Sequence, residues 1–347
     1  MSLPWNKIRL TAYGVVLAVL LTELVGHTYH RLRYGFWLWN DGGAAEIFRI
    51  RPFTVVVGDE RVMTPIKNSR IPGLWTDHNG FRWRSSYERK QRNIVFLGDS
   101  VPFGWAVPAT QSVPAHFAGL LERDGKSSIG TINAAVPSYS LRQAIARYEC
   151  EVDGKYPVSA VVLQTWDPAS QLALHGAAWT PEMNWTTHDL ELGEFDRFLI
   201  RHLHRPMRYS MLLYHGFRAR FPEDHALRLS PDDVVTRNRF SRHVIESLRE
   251  LGKRLDKRHI ALYLLPANPA QGLRTDDRQL TSVRWLNHAI QEYAKSAQRT
   301  HYIDIVERFD ALGRDGLFVD DCCHLSDVGA TRQAKIVYDE MSRNGDL

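Results

Sequence analysis

Apolar and polar positions follow two rhythms along this chain. Near the N-terminus, Lys7 and Arg9 precede an uncharged run from Leu10 to Thr22, interrupted by Glu23 and continued by Leu24, Val25 and Gly26. From Ile94 onward, short apolar runs alternate with longer stretches of helical period. Ile94–Leu97, Thr131–Asn133, Ala160–Gln164, His259–Leu265 and Tyr302–Ile305 read as strands, and the continuous apolar run Ile94–Leu97 suits burial on both faces. Between them, Ser112–Arg123, Leu141–Glu151, Asp232–Leu255, Gln279–Ala297 and Gly329–Ser342 carry apolar residues on one stripe, the mark of helices packed on a sheet. Five such alternations predict a mostly parallel five-stranded sheet with helices on both faces.

Two stretches break the pattern. Residues 34–91 are rich in Trp, Arg, Gly and Pro, with β-like pieces such as Phe53–Val57, and read as a neck and cap. Residues 168–231 lose periodicity but keep many aromatic and basic side chains, as a lid, a membrane-facing surface or an extra packing layer would. The predicted organisation is therefore an N-terminal anchor and flank over 1–33, the neck over 34–91, and one α/β domain over 92–347 with an irregular insert.

The apolar run admits three readings: a retained membrane anchor, a cleaved signal peptide, and a helix buried in a soluble domain. Sixteen helical residues from Leu10 to Val25 rise only about 24 Å, short of a hydrocarbon core of roughly 30 Å. Trp5, Tyr13, Tyr29, Tyr34, Phe36 and Trp37 flank the run like interfacial aromatics. No small-residue cleavage site follows it, which favours the anchor. Basic residues stand on both sides, and the short N-terminal tail favours an inside N-terminus with the rest exported.

Composition narrows the function classes. At 347 residues the chain is long enough for one sizeable core, and 44% hydrophobic with 24% charged residues is ordinary globular usage. The net charge of +5 is spread without a basic block, which argues against nucleic-acid binding. Cys150, Cys322 and Cys323 form no C-x-x-C pair, so a zinc ribbon or thioredoxin-like site is not expected. A bridge from Cys150 to one of the vicinal pair is an open option. His202 and His204 sit among Arg201, Arg205 and Arg208 and read as a solvated basic segment rather than a metal site.

In open α/β sheets, ligands bind beyond the carboxyl ends of the strands. Gly98-Asp99-Ser100 follows the first strand, where glycine permits a sharp exit and the serine projects into the crevice. A serine hydroxyl is a weak nucleophile until a base takes its proton. Asp320-Asp321-Cys322-Cys323-His324 follows the last strand. Asp321 and His324 are three positions apart, so the carboxylate can hold Nδ1–H and leave Nε2 facing the serine. Asp320 is the alternative orienter.

Ile94–Gly104, reading IVFLGDSVPFG, resembles block I of the SGNH/GDSL hydrolase family, and Asp321–His324 with Leu325–Gly329 resembles its block V. Asn79-Gly80-Phe81-Arg82 and Glu23 are similar to features of membrane-anchored bacterial members. The resemblance runs from about Asp77 to Met341 outside the insert. It implies a flavodoxin-like three-layer α/β/α fold preceded by one transmembrane helix. It also implies Ser100 as nucleophile, His324 as base, Asp321 as orienter, and ester or acyl chemistry without metal or cofactor. The oxyanion hole it implies combines the backbone N–H of Ser100 with residues at two further places. Ser138 stands where the family has a glycine, which preserves a backbone N–H. Trp166 stands where the family has an asparagine, a departure that changes the donor. Gln164 and Thr165 are neighbouring substitutes. The expected activity is an extracytoplasmic (periplasmic), membrane-held esterase or O-deacetylase acting on an acylated small molecule or cell-envelope glycan. The alternatives are an O-acetyltransferase working with a membrane acyltransferase partner, and an inactive accessory protein of the same fold.

Overall fold

The computed structural model describes residues 5–34, 54–56, 63–65, 67–69, 75–82, 87–105, 107–137, 139–164, 210, 212–213, 234–270, 277–319 and 323–347. Its first element is helix α1 (Trp5–Tyr34), within which Arg9–Tyr29 is a span of 21 residues with mean hydropathy 1.6. That span rises about 32 Å, enough to cross a membrane. The helix continues past the apolar run at both ends, and so exceeds the length expected from Leu10–Val25. Only 6% of the span is buried, which does not suit the core helix of a soluble domain. A short antiparallel pair, β1 (Thr54–Val56) and β2 (Met63–Pro65), follows.

The domain is built in chain order from β3 (Arg92–Gly98), α2 (Ser100–Phe103), α3 (Val113–Arg123), β4 (Ile129–Asn133), α4 (Leu141–Arg147) and β5 (Val158–Gln164). After the insert come α5 (Val234–Asp256), β6 (Ala261–Leu265), α6 (Asp277–Ser296), β7 (Thr300–Tyr302), α7 (Ile305–Leu312) and α8 (Asp327–Arg343). The five strands form one parallel sheet in the order β4-β3-β5-β6-β7. This is the flavodoxin-like order, whose first strand lies inside the sheet and whose switch point falls between the first and third strands, here β3 and β5. Helices α3 and α8 pack together on one side, with Phe117 edge-on to both Phe96 and Tyr338. Helix α5 packs against both α4 and α6. Strands β4 and β6 are buried throughout, as expected of a sheet covered on both faces.

The last strand differs from expectation. Tyr302-Ile303-Asp304-Ile305 alternates as a strand would, yet β7 ends at Tyr302 and α7 starts at Ile305. The Asp304 carboxylate accepts the Glu307 N–H at 3.0 Å, so an N-cap ends the extended chain there. β6 starts at Ala261 rather than His259, because His259 has φ 56° and belongs to a turn.

Part of the neck is built into the domain. Phe81, Arg82 and Tyr87 are buried in or against the core. Asp77 organises this strap: its carboxylate accepts the N–H groups of Asn79 and Phe81 and the Tyr87 hydroxyl. Burial and that carboxylate push the Tyr87 hydroxyl above its ordinary range, so it remains a donor. Arg147, with no exposed surface, donates to Gly80 O at 2.7 Å and to Glu151 at 3.0 Å, and Glu151 also accepts Thr64 Oγ1 from β2. α4 continues into a single π turn, Tyr148–Val152, which carries Glu151.

Candidate active site

The site grows from the carboxyl end of β3. Gly98 pairs with Gln164 across the switch point. It has φ +136°, and a Cβ there would lie 1.6 Å from Gln164 O, so only glycine fits. Asp99 then caps the short helix α2, its buried carboxylate accepting the Val101 N–H at 2.9 Å. This cap turns the chain so that Ser100 opens α2. Gly104 closes it in the left-handed region at φ 79°, and both Gly104 and Trp105 donate their N–H groups to Ser100 O at 3.1 Å.

The carbonyls at the far end of this turn are held by two buried side chains. Asn133, the last residue of β4, donates to Pro102 O at 3.2 Å and Phe103 O at 3.4 Å. Arg82, from the strap, donates to Gly104 O at 3.1 Å and Val107 O at 2.8 Å, with its guanidinium 4.2 Å above the Phe103 ring centre. The Arg82 N–H also binds Asn133 O at 3.1 Å, which joins the two braces. Helix carboxyl ends leave carbonyls without intrahelical donors, and these two residues supply them. Burial lowers the Arg82 pKa to about 10, which leaves its positive charge in place at neutral pH.

The partner histidine comes from the C-terminal part of the domain. Phe318 and Leu325 form an antiparallel bridge, and the Val319 N–H donates to His324 O at 3.0 Å. Ser326 caps α8, accepting the Gly329 N–H at 3.1 Å and donating to Gly316 O at 2.5 Å. Gly329 must be glycine for close approach, since a Cβ would lie 2.1 Å from Leu317 O. The loop so framed places His324 Nε2 2.9 Å from Ser100 Oγ, across 224 residues of sequence. Both residues are partly exposed at the carboxyl edge of the sheet, where substrate can reach them.

Ser100 and His324, predicted from sequence, are thus brought into hydrogen-bond contact. Asp321, its alternative Asp320, Ser138, Trp166 and Thr165 lie outside the described residues. Gln164 is no substitute oxyanion donor. It is 2% exposed, its Nε2 donates to Pro266 O at 3.2 Å, and its Oε1 accepts Gln333 Nε2 at 2.6 Å. Cys150 keeps its thiol on the surface, which excludes the bridge considered from it, whereas Cys323, next to His324, is disulfide-bonded. Among the described residues, no group of three or more His, Cys, Asp or Glu side chains is placed to hold a metal ion. Sequence reasoning did not assign roles to Arg82 and Asn133. Their signals are slight: an arginine inside the apolar Phe81-Arg82-Trp83 run, and an asparagine ending a buried strand.

The chain is therefore a parallel three-layer α/β protein with a serine–histidine pair at its topological switch point. No family model matches it, and no curated protein matches it. Solved structures do. It is similar to the lipase/acylhydrolase from Enterococcus faecalis, at 16% identity over 73% of this chain and 97% of that one, with a TM-score of 0.46. A catalytic mutant of an acetylxylan esterase from Geobacillus stearothermophilus matches at 14% identity over 73% and 94%, TM-score 0.44. A member of the lipolytic protein G-D-S-L family from Veillonella parvula matches at 14% over 73% and 99%, TM-score 0.42.

Proposed function

We propose that this protein is a membrane-held serine esterase of the SGNH/GDSL type that removes acyl groups, acetyl above all, from a cell-envelope glycan or smaller acylated substrate. The observation that carries this reading is the 2.9 Å contact between His324 Nε2 and Ser100 Oγ at the end of β3. That is the geometry in which an imidazole takes a hydroxyl proton. As Ser100 Oγ bonds to the ester carbonyl carbon, its proton passes to His324 Nε2, and the carbonyl oxygen becomes an oxyanion. The Ser100 N–H lies in the first turn of α2, where helix geometry leaves N–H groups without intrahelical acceptors, and serves as one donor to that oxyanion. Ser138 N–H and the Trp166 indole are the other donors in this reading. Collapse breaks the ester C–O bond, and the departing alcohol takes the proton from His324. Water then gives a proton to His324 and its hydroxyl to the acyl carbon, and Ser100 Oγ leaves with that proton. In this reading Asp321 holds His324 Nδ1–H throughout, so that Nε2 remains the exchanging atom.

For localisation, the support is α1, a helix long and apolar enough to span a bilayer. Held there with its N-terminus inside, the protein presents the domain outside the cytoplasm, where acylated envelope glycans are found.

Fluorophosphonate labelling of the full chain tests the reading, with Ser100→Ala and His324→Ala beside it. Labelling of the unaltered protein that disappears in both variants supports it. Absence of labelling in the folded protein overturns it. An acyl-enzyme that discharges to an added sugar faster than to water would assign the transferase version of the same chemistry.

A further inference from the structure

Along the described part of the membrane helix, the side chains of Leu10–Thr22, Leu24, Val25, Thr28 and Tyr29 are exposed. Three residues are not: Glu23, Gly26 and His27, with His27 only 7% exposed. Their spacing of three and four places them on one face of α1, so something covers that face alone. Glu23 Oε1 accepts the Ser210 hydroxyl at 2.5 Å and the Leu212 N–H at 3.2 Å. Ser210 Oγ in turn accepts the Leu213 N–H at 3.1 Å, and the second Glu23 oxygen lies 3.6 Å from His27 Nε2. Gly26, lacking a side chain, leaves room on the same face.

Glu23 is the only acidic residue between Arg9 and Tyr29. A carboxylate within a hydrocarbon layer is costly unless donors meet it there, and here the donors come from 187 residues further along the chain. Glu23 lies six residues before Tyr29, about 9 Å along the helix from that end of the span. The segment that binds it must reach the same depth. Leu212 and Leu213 are 43% and 37% exposed beside this joint, apolar side chains suited to acyl chains rather than water.

We infer that Ser210, Leu212 and Leu213 dip into the outer edge of the bilayer and are held there by Glu23, so that part of the insert as well as the anchor contacts lipid. The inference rests on the anchored reading above and makes Glu23 a docking residue. The test uses the full chain in phosphatidylcholine vesicles, in a Cys150→Ser background. A bimane fluorophore is placed on Leu213→Cys or, as a control on the domain surface, on Thr110→Cys, and lipids carrying a nitroxide high on the acyl chain serve as quencher. Expected is loss of most emission at position 213 and none at 110. Glu23→Leu abolishes the quenching at 213, whereas Glu23→Gln, which keeps an acceptor oxygen, retains it, and Ser210→Ala weakens it. Unquenched emission at 213, equal quenching in Glu23→Leu, or loss of the N-terminal helix from the mature protein overturns the inference. Ser100 labelling by fluorophosphonate in the same vesicles reads the catalytic proposal separately, and its failure leaves the quenching result intact.

Discussion

Two segments meet the nucleophile turn from opposite ends of the chain, and they differ in physical kind. The C-terminal stretches 317–319 and 323–326 deliver a partly exposed imidazole through one backbone bridge, a capped helix start and a glycine contact. The N-terminal strap, described over 75–82 and 87–90, delivers a guanidinium that is 1% exposed and bound to two carbonyls. The loop brings the group that reacts, and the strap brings one that holds. A reacting group needs access to substrate and water. A bracing charge, by contrast, gains from exclusion of water, because its hydrogen bonds are stronger in a low-dielectric setting and costly to leave unmade.

This division can be broken at either side. The largest effect is expected at the loop: His324→Ala lowers kcat for hydrolysis of an acetyl ester by about 10⁴–10⁶ while leaving the thermal transition nearly unchanged. Arg82→Gln, on the strap, leaves Gly104 O and Val107 O short of donors, at about 2–3 kcal/mol of stability by urea unfolding. It also lowers kcat about 10–100-fold in the folded fraction, counted by active-site titration, with KM little altered. Arg82→Lys recovers part of both. Unchanged kcat in the folded fraction of Arg82→Gln would reduce the strap to a brace for stability alone.

Two smaller changes sharpen the contrast on the loop side. Gly329→Ala drives a methyl group against Leu317 O, so the start of α8 must shift and take His324 with it. The expected result is a kcat loss of about tenfold, larger than the accompanying loss of stability would produce. Ser326→Ala removes the cap on α8 and costs about 1 kcal/mol in unfolding free energy. Its kcat should stay within about twofold of the unaltered enzyme, since the Phe318–Leu325 bridge remains.

The same contrast explains what could be read from the chain. Ser100 and His324 were legible because reactive chemistry needs particular residue types at particular places after strands, and the alternation of strand and helix located those places. Arg82 and Asn133 were not, because their partners are backbone carbonyls, which leave no trace in the identity of the residues that carry them. The Tyr302–Ile305 reading found the last strand but set its bounds too late, for a local reason: a two-residue alternation outweighed the Asp304 cap and the Glu307 that follows it. The commitment of Gln164 to Pro266 and Gln333 arises from tertiary packing alone. The hydrogen bonds of Ser210 and Leu212 to Glu23 join positions with no common pattern.

The 224-residue interval between Ser100 and His324 also bears on timing. Ser100 is synthesised with the first strand of the sheet, whereas His324 follows the fifth. A growing chain therefore holds a serine with ordinary alcohol reactivity through most of its synthesis. In the proposed esterase, the serine would meet its histidine only once the fifth strand and the loop after it are in place.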